Sequence, residues 1–357
     1  MCKKLISSLI LITISSILLL GCSSDDKSLD LRVKRIGIIY DIKAKSAHDG
    51  VATALSVFRN SSWHNIFEKF SYNAYTSVIL AESLMSREKV SIIVGSPDKE
   101  LANAEGEVIK DEYVIFISPV SIGIIGDNKY ITTFKDPEHG IAASQYIASY
   151  FPKATVGVLF DEFNYSREIK EAFIEECSSN GRMPVLIERL PESQAKIDGL
   201  IDGILNKKVN ILYVLSDEKK IGILQQRLNN RKINDLMIIS SDYQNEGINA
   251  DGIYYTTVFA LDYPNKGFQD WVNIYRGLHQ RDPDKISMLY YDATVAALEL
   301  SKRSSERVAD LVIPGAAGSF SFNNGYAQKP IFFVKRVKDK EKYITSMLIE
   351  KIRHDKN

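Results

Sequence analysis

Seven short apolar runs, at 35–40, 90–95, 113–118, 154–160, 209–215, 236–241 and 253–258, recur along the chain, each too short for a helix and rich in Val, Ile and aromatic residues. Longer segments with helical spacing lie between them, at 76–87, 99–111, 165–180 and 223–230. Further on, Ile286, Leu289, Tyr290, Ala293, Ala297 and Leu300 recur at three- and four-residue steps and predict one apolar stripe on a helix. Strands that read as continuous apolar runs are buried on both faces, and their alternation with amphipathic helices predicts a doubly wound α/β fold with parallel sheets. At 357 residues the expectation is two domains, each with its own core.

In open sheets of this kind, ligands gather beyond the carboxyl ends of the strands. The polar residues there are Asp41, Ser96, Ser118 with Ser121, Asp161, Tyr165, Ser216 with Asp217, and Asp242 with Tyr243. Each is open to two roles, capping the next helix or touching a ligand. The chain contains no Walker A loop, no G-x-S-x-G elbow and no H-E-x-x-H helix, and its five histidines lack metal-like spacing. Cys177, within the amphipathic stretch EAFIEECSSNG, reads as packing filler rather than a nucleophile. No catalytic residue, metal site or cofactor is expected, and nothing argues for an enzyme.

The amino terminus is a separate matter. Lys3 and Lys4 precede an apolar run over 5–20, the arrangement of an export signal, and the run is short for a membrane span. Leu19-Leu20-Gly21-Cys22 resembles the bacterial lipoprotein box. That resemblance implies removal of residues 1–21, acyl chains on Cys22 and a polar tether over 22–32; an uncleaved anchor is the alternative. Ser23 and Ser24 after the cysteine imply the outer membrane if the cell is Gram-negative. Loss of 1–21 leaves 43 basic against 45 acidic residues, with no nucleic-acid footprint. It also leaves Cys177 without a thiol to pair with, so no intrachain disulfide is expected.

GSFSFNNGYAQKPIFFVKRVKDKEKYI, at 318–344, resembles the carboxyl-terminal signature of type I periplasmic binding proteins of the branched-chain amino acid class. Its Asn-Asn-Gly is also a hairpin signal in its own right. FQDWVNIYRGLHQRDPDKISMLYYDATVAALEL is similar to the family's paired helices, and ATVGVLFDEFNYSREIKEAFIEECSSNG to its strand–Asp–Tyr–helix unit. VSIIVGSPDKE and YVIFISPVS are similar to its first-lobe strand ends.

The resemblance implies two Rossmann-like lobes with parallel central sheets joined by three crossover hinges, near 134–140, 257–263 and 316–322. Lobe one would comprise 33–136 plus 262–317, and lobe two 137–261 plus 318–350. Carried over position by position, it implies ligand contacts at Ser96, Ser118, Ser121, Tyr165 and Asp242, with Asp242 meeting a ligand ammonium. Ile122 stands where the family has a threonine that grips an amino acid, and the stretch before the first-lobe helix is shorter than usual. The implied function is a non-enzymatic extracytoplasmic receptor that passes a small solute, an amino acid or a related compound, to an ABC transporter permease. The alternative is an outer-membrane lipoprotein that regulates another cell-envelope protein, such as a cell-wall synthase.

Overall fold

The computed structural model describes residues 34–58, 64–109, 113–123, 126–162, 164–241, 251–302, 311–338 and 340–349; Cys22 and the leader lie outside them. The first lobe is built on β1 (Lys34–Asp41), β2 (His64–Ser71), β3 (Ile92–Val94), β4 (Ile115–Ser118) and β5 (Lys129–Ile131). Helices α1 (Lys45–Phe58), α2 (Ala74–Ser86) and α3 (Lys99–Val108) connect the first four of these strands. The second lobe repeats the plan with β6 (Val156–Phe160), β7 (Leu186–Arg189), β8 (Ile211–Leu215), β9 (Met237–Ser241) and β10 (Tyr254–Thr257). Its helices are α4 (Pro137–Tyr150), α5 (Asn164–Ser179), α6 (Gln194–Asn206) and α7 (Glu218–Asn230). The chain then returns with α8 (Lys266–His279) and α9 (Lys285–Ser301), which pack on the first lobe.

Six further strands complete the fold: β11 (Ile313–Gly315), β12 (Gly318–Phe320), β13 (Phe322–Asn323), β14 (Tyr326–Ala327), β15 (Ile331–Val337) and β16 (Lys340–Met347). The first sheet has the order β13-β14-β5-β4-β3-β1-β2 and the second β16-β15-β10-β9-β8-β6-β7. Strands β1 to β5 are parallel, as are β6 to β10, and β15 and β16 add an antiparallel margin. Two parallel-dominated seven-stranded sheets flanked by helices are the expected α/β architecture.

The chain passes between the sheets after β5, after β10 and after β14. β13 and β14 pair within the first sheet, and the chain reaches the second sheet at β15. Asn324 and Gly325 both take positive φ and form the predicted tight turn. The hairpin they close sets Tyr326 beside Ile131 of β5, and the Tyr326 hydroxyl donates to the Ile122 carbonyl at 2.8 Å. Those bonds tie the segment to the first sheet.

Helix α9 departs from its predicted single stripe. It is buried nearly all round, including Ser287, Asp292, Thr294 and Ser301, because α1 covers one side and the first sheet another. The approach to α1 is close: a Cβ built on Gly50 would lie 2.1 Å from the Ser287 carbonyl oxygen. Gly50→Ala is therefore expected to cost about 1–3 kcal/mol through forced separation of the two helices, seen as a lower urea midpoint with an unchanged slope. Among the described residues, no helix is long and apolar enough to cross a membrane.

Candidate functional site

In each lobe the first strand lies between the second and the third, so β1 separates β2 from β3 and β6 separates β7 from β8. Connections leave such a pair in opposite directions, and the crevice beyond their carboxyl ends is where ligands settle. The first lobe's crevice holds Ser96, just beyond β3. It is fully buried, its N–H donates to Glu105 Oε2 at 2.8 Å, and its hydroxyl donates to Oε1 at 2.7 Å. Ser77, on α2, also donates its hydroxyl to Glu105. Burial pushes the Glu105 carboxyl up to about 7, against the downward pull of the Ser77 and Ser96 hydroxyls and the Ser96 N–H. Both polar groups of Ser96 are thus engaged by a carboxyl of the protein itself.

The turn after β4 is closed in a similar way. The buried Ser118 hydroxyl donates to the Val120 carbonyl at 2.7 Å, and the Ser118 carbonyl accepts from the Thr132 N–H at 2.9 Å. Ser121 is half-buried beside the Ile122 carbonyl that accepts from the Tyr326 hydroxyl. Ile122, the departure from the family pattern, packs into a first-lobe core with Phe116, Ile131 and Tyr326. Nearby, Lys99 in the first turn of α3 reaches Asp136 at the first crossover, with Nζ 2.5 Å from Oδ2.

The second lobe's crevice is more openly charged. Asp161, just beyond β6, is 2% exposed; one oxygen accepts from the Ser216 hydroxyl and the other lies 3.1 Å from Lys220 Nζ. Asp217 is a cap, accepting from the Lys220 N–H at 2.8 Å. Deeper, Tyr213, Ser241, Thr256 and His139 form a buried chain: Tyr213 to Ser241 at 2.6 Å, Ser241 to Thr256 at 3.3 Å and Thr256 to His139 Nδ1 at 2.7 Å. The side chain of Tyr165 and all of Asp242 lie outside the described residues. The structure therefore places Ser96, Ser118 and Ser121 on the first lobe's carboxyl edge, with Ser96 and Ser118 facing inward.

Two residues at these edges escaped the sequence reading. Glu105 shares a buried helix face with Leu101 and Ala102, and a carboxylate at an apolar-face position was the available signal. Lys220 is a cation in a helix's first turn, where the macrodipole disfavours positive charge. Among the described residues no group of His, Cys, Asp or Glu could hold a metal ion. Cys177 is buried, with its sulfur 3.2 Å from the Ser144 hydroxyl, and burial raises its thiol above the usual range. A hollow of about 410 Å³ lined by Phe151, Ile211 and Met237 opens at the amino ends of β8 and β9, the edge opposite the crevice.

The fold is shared with solved solute-binding proteins. The branched-chain amino acid transporter substrate-binding protein of Streptococcus pneumoniae, solved with isoleucine, is 17% identical over 89% of this chain and 99% of its own, with a TM-score of 0.68. An ABC transporter substrate-binding protein of Desulfitobacterium hafniense, solved with leucine, is 14% identical over 87% and 99%, with a TM-score of 0.73. A solute-binding protein of Rhodopseudomonas palustris, solved with benzoate, is 12% identical over 89% and 98%, with a TM-score of 0.65. No curated protein matches the sequence. The periplasmic binding protein family model matches residues 70–333, most of both lobes. On that match, the chain belongs to the periplasmic binding protein family.

Proposed function

We propose that this protein is a non-enzymatic, extracytoplasmic receptor that takes a small organic solute between its lobes and presents it to a membrane transporter. The observation that carries this reading is the pairing of two parallel sheets, each with a polar crevice at its carboxyl edge, across three crossovers. A solute that touches both lobes stabilises the closed state over the open one by its extra contacts, which gives the transporter a shape to recognise. The family match supports the class of function. Relatives of the same fold were solved with isoleucine, leucine and benzoate, all small carboxylates, and that supports the class of solute.

Tyr165 and Asp242 are proposed as contacts from the second lobe and Ser121 as one from the first, on the strength of the sequence resemblance. Lipidation at Cys22 would hold the receptor at the cell envelope, facing the periplasm, with Ser23 and Ser24 favouring the outer membrane of a Gram-negative cell.

Native mass spectrometry of the purified full chain, followed by calorimetry with whatever small molecule it releases, tests the reading. A bound solute with a dissociation constant in the micromolar range, roughly −8 kcal/mol, is the expected result. A chain that carries no small molecule and shows no calorimetric response to leucine, isoleucine or benzoate would instead support the cell-envelope interaction protein.

A further inference from the structure

Lys220 holds a position that helix energetics disfavour. It lies three residues beyond the Asp217 cap, in the first turn of α7, where the helix end is positive and a cation is disfavoured. Asp161 offsets that penalty. This carboxylate is 3% exposed in its side chain, receives the Ser216 hydroxyl on one oxygen, and is 3.1 Å from Lys220 Nζ through the other. The register explains the meeting: Phe160 of β6 pairs with Leu215 of β8, so Asp161 and Ser216 emerge side by side where the crevice opens.

The lysine is less enclosed than its partner, at 21% exposed. An ammonium carries three N–H donors, and Asp161 takes one. Glu192 stands 3.9 Å away and is largely exposed, outside hydrogen-bonding range. Among the described residues, the other donors have no hydrogen-bond acceptor. On the first lobe's edge the Ser96 and Ser118 donors are consumed internally, and Lys99 is drawn to Asp136 at the crossover.

We propose that Lys220 is the anion-holding residue of the cleft, binding the carboxylate of a small organic acid from the second lobe, and that Asp161 is the positioning residue that aims it. The inference rests on the receptor reading and deepens it, because it names the charged group of the solute and the wall that holds it. The ammonium keeps N–H donors that Asp161 does not use, and those are the groups an anion would take up.

Calorimetry on the full chain tests this, using benzoate, L-leucine and L-isoleucine as carboxylates, benzamide and L-leucinamide as their uncharged-end counterparts, and inorganic phosphate as a competing oxyanion. Lys220→Met is expected to weaken the bound carboxylate by roughly ten- to a hundredfold. Lys220→Arg should restore most of the loss, and the amides should respond to neither change. Circular dichroism checks folding, and if Lys220→Met fails to fold, Asp161→Asn/Lys220→Met removes both charges and replaces it. Equal carboxylate affinity in wild type and Lys220→Met overturns the inference and leaves the receptor reading standing. Binding of the amides alone, or of phosphate alone, does the same. Silence from every probe overturns this inference, and overturns the receptor reading too where the purified chain carries no small molecule.

Discussion

Replacing Asp292 with alanine is expected to remove about 3–5 kcal/mol of folding stability, the usual loss when one member of a buried ion pair is deleted. Asp292 lies in α9 with no exposed surface, and its two oxygens do two jobs. One accepts from the Ala316 N–H at 2.7 Å, and the other meets Lys329 Nζ at 2.5 Å. Lys329 belongs to the third crossover, is only 10% exposed in its side chain, and lies 4.2 Å above the Phe320 ring. Burial lowers its pKa and the Asp292 carboxylate opposes that shift, so the ammonium depends on this one counter-charge. The alanine variant leaves the ammonium unpaired and the Ala316 donor unsatisfied. Urea unfolding reads the loss, and Asp292→Ala/Lys329→Met should recover part of it by removing the stranded charge. A midpoint shift no larger than that of a surface substitution, within about 0.5 kcal/mol, would show that the pair does not anchor the crossover.

The sequence was most readable where burial is symmetrical. All seven predicted apolar runs contain strands, and Ile211–Leu215 is buried at every position, so no polar residue interrupts the pattern. The strands that went unread have mixed environments. β2, HNIFEKFS, is an edge strand in which the charged pair Glu68-Lys69 interrupts the apolar residues, and β7 buries only Leu186. In α9 the polar members disguise an interior helix: Ser301 donates to the Leu298 carbonyl one turn back, and Asp292 finds its partner 37 residues away.

The same distinction governs the site. Strand ends can be located from apolar runs, so Ser96, Asp161 and Ser216 are legible as edge residues. Their partners depend on tertiary register. Asp161 meets Ser216 and Lys220 across 55 and 59 residues, through a β6–β8 pairing that no local pattern encodes. Ser96 is within nine residues of Glu105, but only the folded angle between β3 and α3 turns the carboxyl back onto it.

That carboxyl sets the largest expected pH effect. In the folded chain Glu105 titrates at about 7, against 4.5 for the free side chain, chiefly because burial penalises its charged form. Between those values the folded state keeps a proton that the unfolded state releases. Stability therefore falls as pH rises through the window: the contribution of this carboxyl is fully present below the unfolded value and lost above the folded one. The expected loss is on the order of 3 kcal/mol. Asp98 adds to the shift, while the Ser77 and Ser96 hydroxyls and the Ser96 N–H limit it. Glu105→Gln keeps the shape and an oxygen acceptor for Ser96 but has no proton to lose, so its urea midpoint should stay level where the wild-type midpoint declines. A wild-type profile that runs parallel to that of Glu105→Gln across the same range would mean that the carboxyl ionises near its ordinary value. In that case Ser77 and Ser96 hold a charged group whose cost of burial their three hydrogen bonds already offset.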